Sequence, residues 1–207
     1  LDDVLKKELY QAFPSAHPFL YRNDVLVLLN DTHALAAFEP LAGQYRLRVA
    51  ISDDFSDLYL LPQVYRSVHE VVEYLLTHAA GPFVAYTSQF RDLMLLRQLA
   101  QRPDYVHPKI RELDEYDRRH GTQFCLTLYT YFICHHSVQS TCQRLFTHRN
   151  TVLYRLRKLK EEFDIAVDAP EDTLPLLLSS ALVLLQSHQD QLFVHGFQLD
   201  AGAGRTE

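Results

Sequence analysis

The pattern of apolar and polar positions is clearest around residue 150, where it has the spacing of an amphipathic helix. Leu145, Val152, Leu156, Leu159 and Phe163 recur at helical intervals and form one stripe. At about 100° per residue, the polar residues at positions 150, 154, 157 and 158 fall on the opposite side. The pattern predicts a helix over 148–162, with one face for a protein core and the other for solvent or a partner.

The segment before this helix predicts that the two elements form a helix-turn-helix. Ser137 is a good N-cap for a short helix over 138–145. Cys142 supplies a small side chain where two helices would have to cross closely. Residues 146–148 have the length of the turn that joins the two helices of such a motif. On its own, the second helix could also be an ordinary solvated basic helix.

The distribution of charge favours DNA as the partner of this motif. The chain has a net charge of −6, yet the stretch 144–160 contains six Lys and Arg residues and no acid. A local basic patch on an acidic chain suits a sequence-specific DNA-binding protein better than a nonspecific nucleic-acid coat. The residues of this patch that are expected to contact DNA are Arg144, Arg149, Asn150, Tyr154, Arg155, Arg157 and Lys158.

These residues have different expected roles. Arg149 lies at the start of the helix, the part that usually enters the major groove, and a bidentate contact to guanine is expected there. Asn150 could pair with adenine or cap the helix, and Thr147 or His148 could also be the cap.

The flanking cations and the tyrosine have simpler expected roles. Lys158 and Arg144 are expected to contact phosphates, which supply affinity and position but no sequence information. Tyr154 could face DNA or pack against the helix over 138–145.

Residues 1–105 alternate strand and helix signals and predict a mixed sheet with helices packed on it. A hairpin is expected from 19–21 and 25–29, with its turn at 22–24. Further strands are expected at 45–51 and 83–86. Helices are expected over 33–41, over 57–80 with a break near Pro62 and an end at Gly81-Pro82, and over 90–100.

Pro103 and Pro108 break helicity, and the domain boundary is therefore predicted near residue 105. Beyond it, helices are expected over 110–120, ended by Gly121, and over 123–135, capped by Thr122. A last helix over 174–187 would carry Pro175 in its first turn. The predicted fold class is α+β: a mixed-sheet α/β domain over 1–105, an all-α domain over 106–190, and a partly disordered tail over 191–207.

Several sequence motifs in 107–186 resemble one known family. They are His148-Arg149-Asn150-Thr151-Val152 with Tyr154-Arg155-Leu156, His107-Pro108, Leu113 with Tyr116-Asp117, Thr127-Leu128 with Tyr131, and Asp168-Ala169-Pro170-Glu171-Asp172. Taken in their order along the chain, they resemble the C-terminal domain of PucR/CdaR-type bacterial transcriptional regulators. The resemblance implies a Fis-like helix-turn-helix, in which the positions of His148 and Thr151 face DNA.

The order of elements in 1–105 resembles, more weakly, the degenerate GGDEF-like domain that precedes the helix-turn-helix in the same regulators. In active cyclases of that fold, the two glycines of the hairpin admit the nucleotide and the acids hold metal ions. Here the corresponding positions are Tyr21, Arg22, Asn23, Asp24 and Val25. Because the glycines are replaced and one acid remains, no residues are left to hold the two metals of phosphoryl transfer.

No enzyme, cofactor or metal site is predicted elsewhere. The chain has no glycine-rich dinucleotide or phosphate loop, no His-Glu-x-x-His and no Gly-x-Ser-x-Gly. Cys125, Cys134 and Cys142 form no CxxC and are expected to be buried, reduced thiols of a cytoplasmic protein. A metal site at Cys134-His135-His136 lacks a second ligand pair at zinc-like spacing. No apolar run reaches the roughly 20 residues that span a bilayer.

The predicted function is that of a DNA-binding transcriptional regulator acting on double-stranded DNA. A homodimer is expected, because one helix-turn-helix rarely gives enough affinity. The chain begins without Met inside a helical pattern, and the resemblance implies a preceding sensor domain for a small-molecule effector. Two alternatives remain open: a metabolite- or nucleotide-binding α/β module with a vestigial helical domain, and an adaptor whose basic helix binds an acidic protein.

Overall fold

The computed structural model of the chain describes residues 3–16, 18–30, 32–78 and 83–195. The chain divides into two compact units, Leu1–Met94 with Phe193–Glu207, and Leu95–Leu192. The boundary predicted near 105 rests on Pro103 and Pro108. These prolines only shape a connection, since Pro103–Tyr105 is a 3₁₀ turn and Pro108 is the first residue of a helix.

The C-terminal segment also differs from the predicted separate tail. Phe193 and Val194 belong to the first unit, and their side chains are 1% and 6% exposed. The adjacent His195 N–H donates to the carbonyl of Gln89 at 2.9 Å. Of the partly disordered tail predicted over 191–207, residues 196–207 lie outside the described part of the chain.

The first unit contains helices and short strands, as the predicted α+β class requires. In chain order its elements are α1 (Asp3–Ala12), β1 (Phe19–Tyr21), β2 (Asp24–Leu26), α2 (Phe38–Tyr45), β3 (Arg48–Ile51), α3 (Leu61–His78), β4 (Phe83–Tyr86) and the first part of α4 (Arg91–Leu99). Short 3₁₀ helices occupy Thr32–Ala37, Leu58–Leu60 and Thr87–Phe90. The predicted strand from 45 begins at Arg48, because α2 extends to Tyr45.

The strands of the described residues form two separate pairs instead of the single mixed sheet that the sequence predicts. β1 and β2 are an antiparallel hairpin, and β3 and β4 are parallel. Parallel neighbours need a crossover, and α3 lies between them in the chain and packs against β3. The two pairs share a core, because Val25 of β2, Val49 and Ile51 of β3 and Val84 of β4 all pack against one buried cluster. That cluster consists of Leu9, Phe13, Ala16, Phe38 and Leu41.

The second unit is helical. Its helices after α4 are α5 (Pro108–His120), α6 (Phe124–Ile133), α7 (Val138–Arg144), α8 (Arg149–Glu161) and α9 (Pro170–Gln186). Gly121 ends α5 with a φ of 63°, as predicted. α9 begins four residues before the predicted start, so Pro170 occupies its first turn and Pro175 lies inside it. No helix of the described residues has both the length and the apolar character needed to cross a bilayer.

Helix α6 is the centre of this unit. Its side chains Phe124, Thr127 and Leu128 are at most 3% exposed, and it packs against α5, α7, α8 and α9. Its N-terminus is held by Asp117 of α5, and not by Thr122 as the sequence predicts. α6 thus supplies the platform on which α7 and α8 are mounted.

Candidate nucleic-acid interface

Helix α7 begins and packs much as the sequence predicts. The Ser137 hydroxyl accepts a hydrogen bond from the N–H of Ser140 at 3.2 Å, which is the predicted N-cap. The fully buried side chain of α7 is that of Thr141, whose hydroxyl donates to the carbonyl of Ser137 at 2.8 Å. Cys142, predicted at the helix crossing, is half-buried one position later.

The turn between α7 and α8 is made by backbone geometry. Phe146 has a φ of 50°, and its side chain is 97% exposed. The N–H of Thr147 donates to the carbonyl of Cys142 at 3.0 Å, and His148 is the extended residue from which α8 starts. The His148 side chain accepts no capping bond. Asn150 lies inside the first turn of α8, so it is free of the capping role that the sequence allowed.

The apolar face of α8 is the predicted one. Val152 and Leu159 are 0% exposed and Leu156 is 7% exposed. Leu145 and Phe163 continue the stripe and are half-buried. These contacts fix which side of the helix faces away from the core.

The outer face of the N-terminal half of α8 is open to solvent. Arg149 and Asn150 are exposed, and Tyr154 keeps 50% of its surface exposed. A shallow depression on this face is lined by Asn150, Leu153, Tyr154 and Arg157. The Arg157 guanidinium lies 5.9 Å from the centroid of the Tyr154 ring, and this stacking orients both side chains.

Leu153 and Phe146 were not among the residues predicted for this surface. Leu153 is 42% exposed and Phe146 is 97% exposed. Leu153 lies about 100° from Val152 around the helix, outside the apolar stripe, so helical periodicity alone could have identified it. Phe146 follows the last residues of α7 in a turn, where the positive φ turns its side chain outward.

The cations of α8 and of the end of α7 fall into two groups. Arg155 donates to the hydroxyl of Thr127 at 2.9 Å, Lys158 to the hydroxyl of Tyr116 at 3.1 Å, and Lys160 to the carboxylate of Asp168. The Lys158 side chain is only 15% exposed. The structure therefore places Arg155 and Lys158 in contacts within the helical unit, whereas the sequence predicts that they contact DNA.

Arg149 and Arg144 belong to the other group. No acidic side chain of the described residues lies within salt-bridge distance of either guanidinium, while Arg157 approaches Glu161 only at 3.9 Å. His148 is exposed and Thr151 is half-buried beside them. The positive end of the helix dipole lies at this same end of α8. Uncompensated positive charge is thus concentrated at the turn and the first two turns of α8.

Comparison with known proteins identifies this arrangement. The family model of the PucR C-terminal helix-turn-helix domain matches residues 125–182, which contain α7, α8 and the turn between them. Residues 125–182 are thus similar to a PucR-type helix-turn-helix domain. The resemblance found in the sequence motifs is thereby confirmed for the helical unit.

A curated relative extends the likeness beyond the PucR-type domain. The chain is 25% identical over 194 residues to the purine catabolism regulatory protein of Bacillus subtilis (strain 168), an alignment that covers 86% of this chain and 36% of the relative. The chain therefore spans about a third of that protein's length. No solved structure matches the chain. Together the two matches support a PucR-type regulator, while the GGDEF-like resemblance of the first unit stays a prediction.

Proposed function

We propose that this chain is part of a sequence-specific DNA-binding transcriptional regulator in which α8 enters the major groove. The observation that carries the proposal lies within the segment that matches the PucR C-terminal helix-turn-helix domain. There, no acid of the described residues lies within salt-bridge distance of Arg144, at the end of α7, or of Arg149, at the N-terminal end of α8. That end of a recognition helix is the part that meets base edges. The Bacillus relative is named as a regulatory protein, which agrees with this role.

The proposed roles follow the exposure of each side chain. Arg149 has the reach and the fork of donors for a guanine, and Asn150 is free to pair with adenine because it does not cap the helix. His148 and Thr151 flank them. Arg144, at the end of α7, is proposed to contact a phosphate.

The shallow depression on α8 suits a groove wall. Tyr154 and Leu153 offer apolar surface to a sugar or a thymine methyl group, while Arg157 supplies a cation beside them. Direct base contacts would thus come from the first turn of the helix, and backbone or shape contacts from the second.

The first unit supports a non-catalytic role. The one acid left at the cyclase-like hairpin, Asp24, accepts a hydrogen bond from the Tyr65 hydroxyl at 2.8 Å and lies 2.8 Å from Nδ1 of His69. A carboxylate held in this way is engaged inside its own unit. We therefore propose that this unit serves assembly or effector sensing within a longer, homodimeric regulator, and that the chain performs no catalysis.

The test is fluorescence anisotropy of the chain with the duplex upstream of its own operon and with a scrambled duplex. We expect the native duplex to bind more tightly and Arg149→Ala to remove that preference, because one bidentate base contact gives about 1–3 kcal/mol of discrimination. Arg119→Ala is the matched control, since Arg119 is an exposed arginine of α5 that pairs with Glu115.

Two results would contradict the proposal. Equal binding of native and scrambled duplex by the unaltered chain would exclude sequence-specific recognition. An Arg119→Ala variant that loses as much discrimination as Arg149→Ala would show that net charge, and not a base contact at α8, sets the preference.

A further inference from the structure

Lys158 is enclosed by groups of its own unit. Its Nζ lies 5.1 Å from the centroid of the Tyr116 ring and 5.6 Å from that of Phe124. It donates to the Tyr116 hydroxyl at 3.1 Å and lies 3.1 Å from a carboxylate oxygen of Glu162. The Lys158 ammonium is thus surrounded by a hydrogen-bond acceptor, an acid and two aromatic rings of the protein. Its charge is balanced without a phosphate.

The groups that hold Lys158 are themselves fixed. The Tyr116 ring meets Phe163 edge-on at 5.1 Å and stacks on His120 at 4.1 Å. Phe124 is 3% exposed at the start of α6. Tyr116 therefore presents its hydroxyl from a defined position on α5.

This contact can control the rotation of α8 about its axis. The apolar stripe fixes which side of α8 faces the core, but small rotations about the helix axis keep the same side chains buried, since hydrophobic burial is non-directional. A charge-assisted hydrogen bond to a fixed hydroxyl is directional and shorter in range. Lys158 follows Arg149 by nine residues, or about 13 Å along the helix. A change in rotation at Lys158 would redirect the side chains of Arg149 and Asn150.

We infer that Lys158 is a positioning residue, whose clamp on Tyr116 sets the orientation of α8 toward DNA without contacting a phosphate itself. The inference rests on the proposed DNA-binding function. It adds to that function a residue that does not contact DNA. Arg155, which is bonded to Thr127 of α6, makes a second internal contact of α8. This contact is with α6, whereas the hydrogen bond of Lys158 is with α5.

The inference and the alternative phosphate contact predict different salt dependences. A lost phosphate contact reduces the slope of log affinity against log salt by about 0.9 and weakens native and scrambled duplexes alike. A lost positioning contact leaves the slope unchanged and lowers the ratio of native to scrambled binding. We expect Lys158→Met to lower that ratio about fivefold or more, which is the smaller end of what one base contact gives.

Tyr116→Phe is the second variant, because it removes the hydroxyl acceptor of Lys158 and retains the aromatic ring, the charge of Lys158 and its contact with Glu162. We expect it to reduce the ratio in the same direction with an unchanged slope and a melting temperature close to that of the unaltered chain. A merely structural role would lower the melting temperature and leave the ratio of the folded protein unchanged. Arg144→Gln is the matched control, for which the slope should fall by about 0.9 with the ratio kept.

A slope that falls by about 0.9 in Lys158→Met with an unchanged ratio would overturn the inference. If Lys158→Met does not fold, an unchanged ratio in Tyr116→Phe overturns it. If the unaltered chain shows no preference for the native duplex, the proposed function fails. Whether the contact between Lys158 and Tyr116 holds α8 in place is then tested without DNA, by amide hydrogen exchange. If Tyr116→Phe accelerates amide exchange in α8 more than in α9, relative to the unaltered chain, the result supports the clamp. An equal change in the two helices contradicts it.

Discussion

A single carboxylate, that of Asp117, joins the end of one helix to the start of the next. Its Oδ1 accepts from the Thr122 hydroxyl at 2.5 Å and from the N–H of Phe124 at 2.9 Å. Its Oδ2 accepts from the N–H of Cys125 at 2.8 Å. Gly121 makes this possible, because its φ of 63° turns the chain back toward α5. Asp117 thus satisfies amides of α6 that would otherwise lack acceptors.

We expect Asp117→Ala to lower the free energy of unfolding by about 2 kcal/mol, at the upper end of the effect of removing a helix cap. Urea denaturation of the whole chain measures this. Glu115→Ala is the matched control on the same helix. It removes only an exposed pair with Arg119, for which at most about 0.5 kcal/mol is expected. Equal losses in the two variants would exclude the capping role.

The sequence could not identify this cap from local spacing. Thr122 lies where an N-cap of α6 is expected, and a local rule selects it. In the structure its hydroxyl donates to Asp117, which comes from the preceding helix. The family motif that contains Tyr116-Asp117 marked the residue as part of the resemblance, but its task depends on how α5 and α6 meet, and the motif does not state that.

At the scale of the element, α8 shows what periodicity can and cannot predict. Its buried side follows from the positions of Val152, Leu156 and Leu159, because burial depends on one period and one face. The partners of Lys158 do not follow from the same pattern. Glu162 is the i+4 neighbour of Lys158 at the end of α8, but Tyr116 and Phe124 are supplied by α5 and α6. The sequence of α8 alone makes every cation on its outer side an equal candidate for DNA.

Two leucines of α8 give a matched test of this sidedness. We expect Leu159→Ala, at a site with no exposure, to lower the free energy of unfolding by about 2–5 kcal/mol through the lost burial and the cavity it leaves. Leu153→Ala, at a site that is 42% exposed, should cost less than about 1 kcal/mol. Chemical denaturation of both variants provides the comparison. Similar losses would mean that α8 is rotated from the orientation described.

The last turn of α8 is tied to the segment before α9, and this tie should depend on pH. A hydrogen bond from Lys160 lowers the pKa of Asp168 below its ordinary value. The pKa of Asp168 is therefore lower in the folded state than in the unfolded state. The contact stabilises the fold at pH values above the ordinary carboxyl pKa of about 3.9, and this stabilisation is lost as the pH falls through the pKa of the folded state. Both side chains are about half exposed, so the effect should be at most about 1 kcal/mol.

The variant Asp168→Asn isolates that contribution. The unaltered chain should exceed the variant in free energy of unfolding at pH 7, and the difference should shrink between about pH 4 and pH 2. Urea titrations at each pH give both values. A difference that grows on acidification would mean that the carboxylate is not stabilised by Lys160.

At the scale of the whole chain, the helical unit was more predictable from sequence than the first unit. Short connections such as 121–123 and 145–148 determine which helices are neighbours. In the first unit, the strands have only three or four residues, and β3 pairs with β4 far along the chain. The alternation of apolar and polar residues in such short strands does not specify which strands pair, so a single mixed sheet was the simplest prediction. The return of Phe193 to this unit had no local signal, because an apolar residue near a chain end does not reveal where it packs.

The proposed assembly predicts a dependence on the spacing of DNA half-sites. Each chain presents one exposed end of α8, with few side chains free to meet bases, so a two-fold dimer reading two half-sites about one helical turn apart is expected. Inserting five base pairs between the half-sites turns one of them to the opposite side of the duplex. Because simultaneous binding is then geometrically excluded, affinity should fall by about 10²-fold, to that of a single half-site.

Inserting ten base pairs returns the second half-site to the same side of the duplex, one turn further away. Part of the affinity should then be recovered, and more of it if the two helix-turn-helix domains of the dimer can move further apart. Anisotropy on the three duplexes, with sedimentation equilibrium of the free chain, separates the two components of the proposal. Equal affinity at every spacing would mean that each α8 binds independently, whatever the state of assembly. A phase-dependent affinity from a chain that sediments as a monomer would place dimerisation on the DNA, where binding of one chain raises the effective concentration of the next.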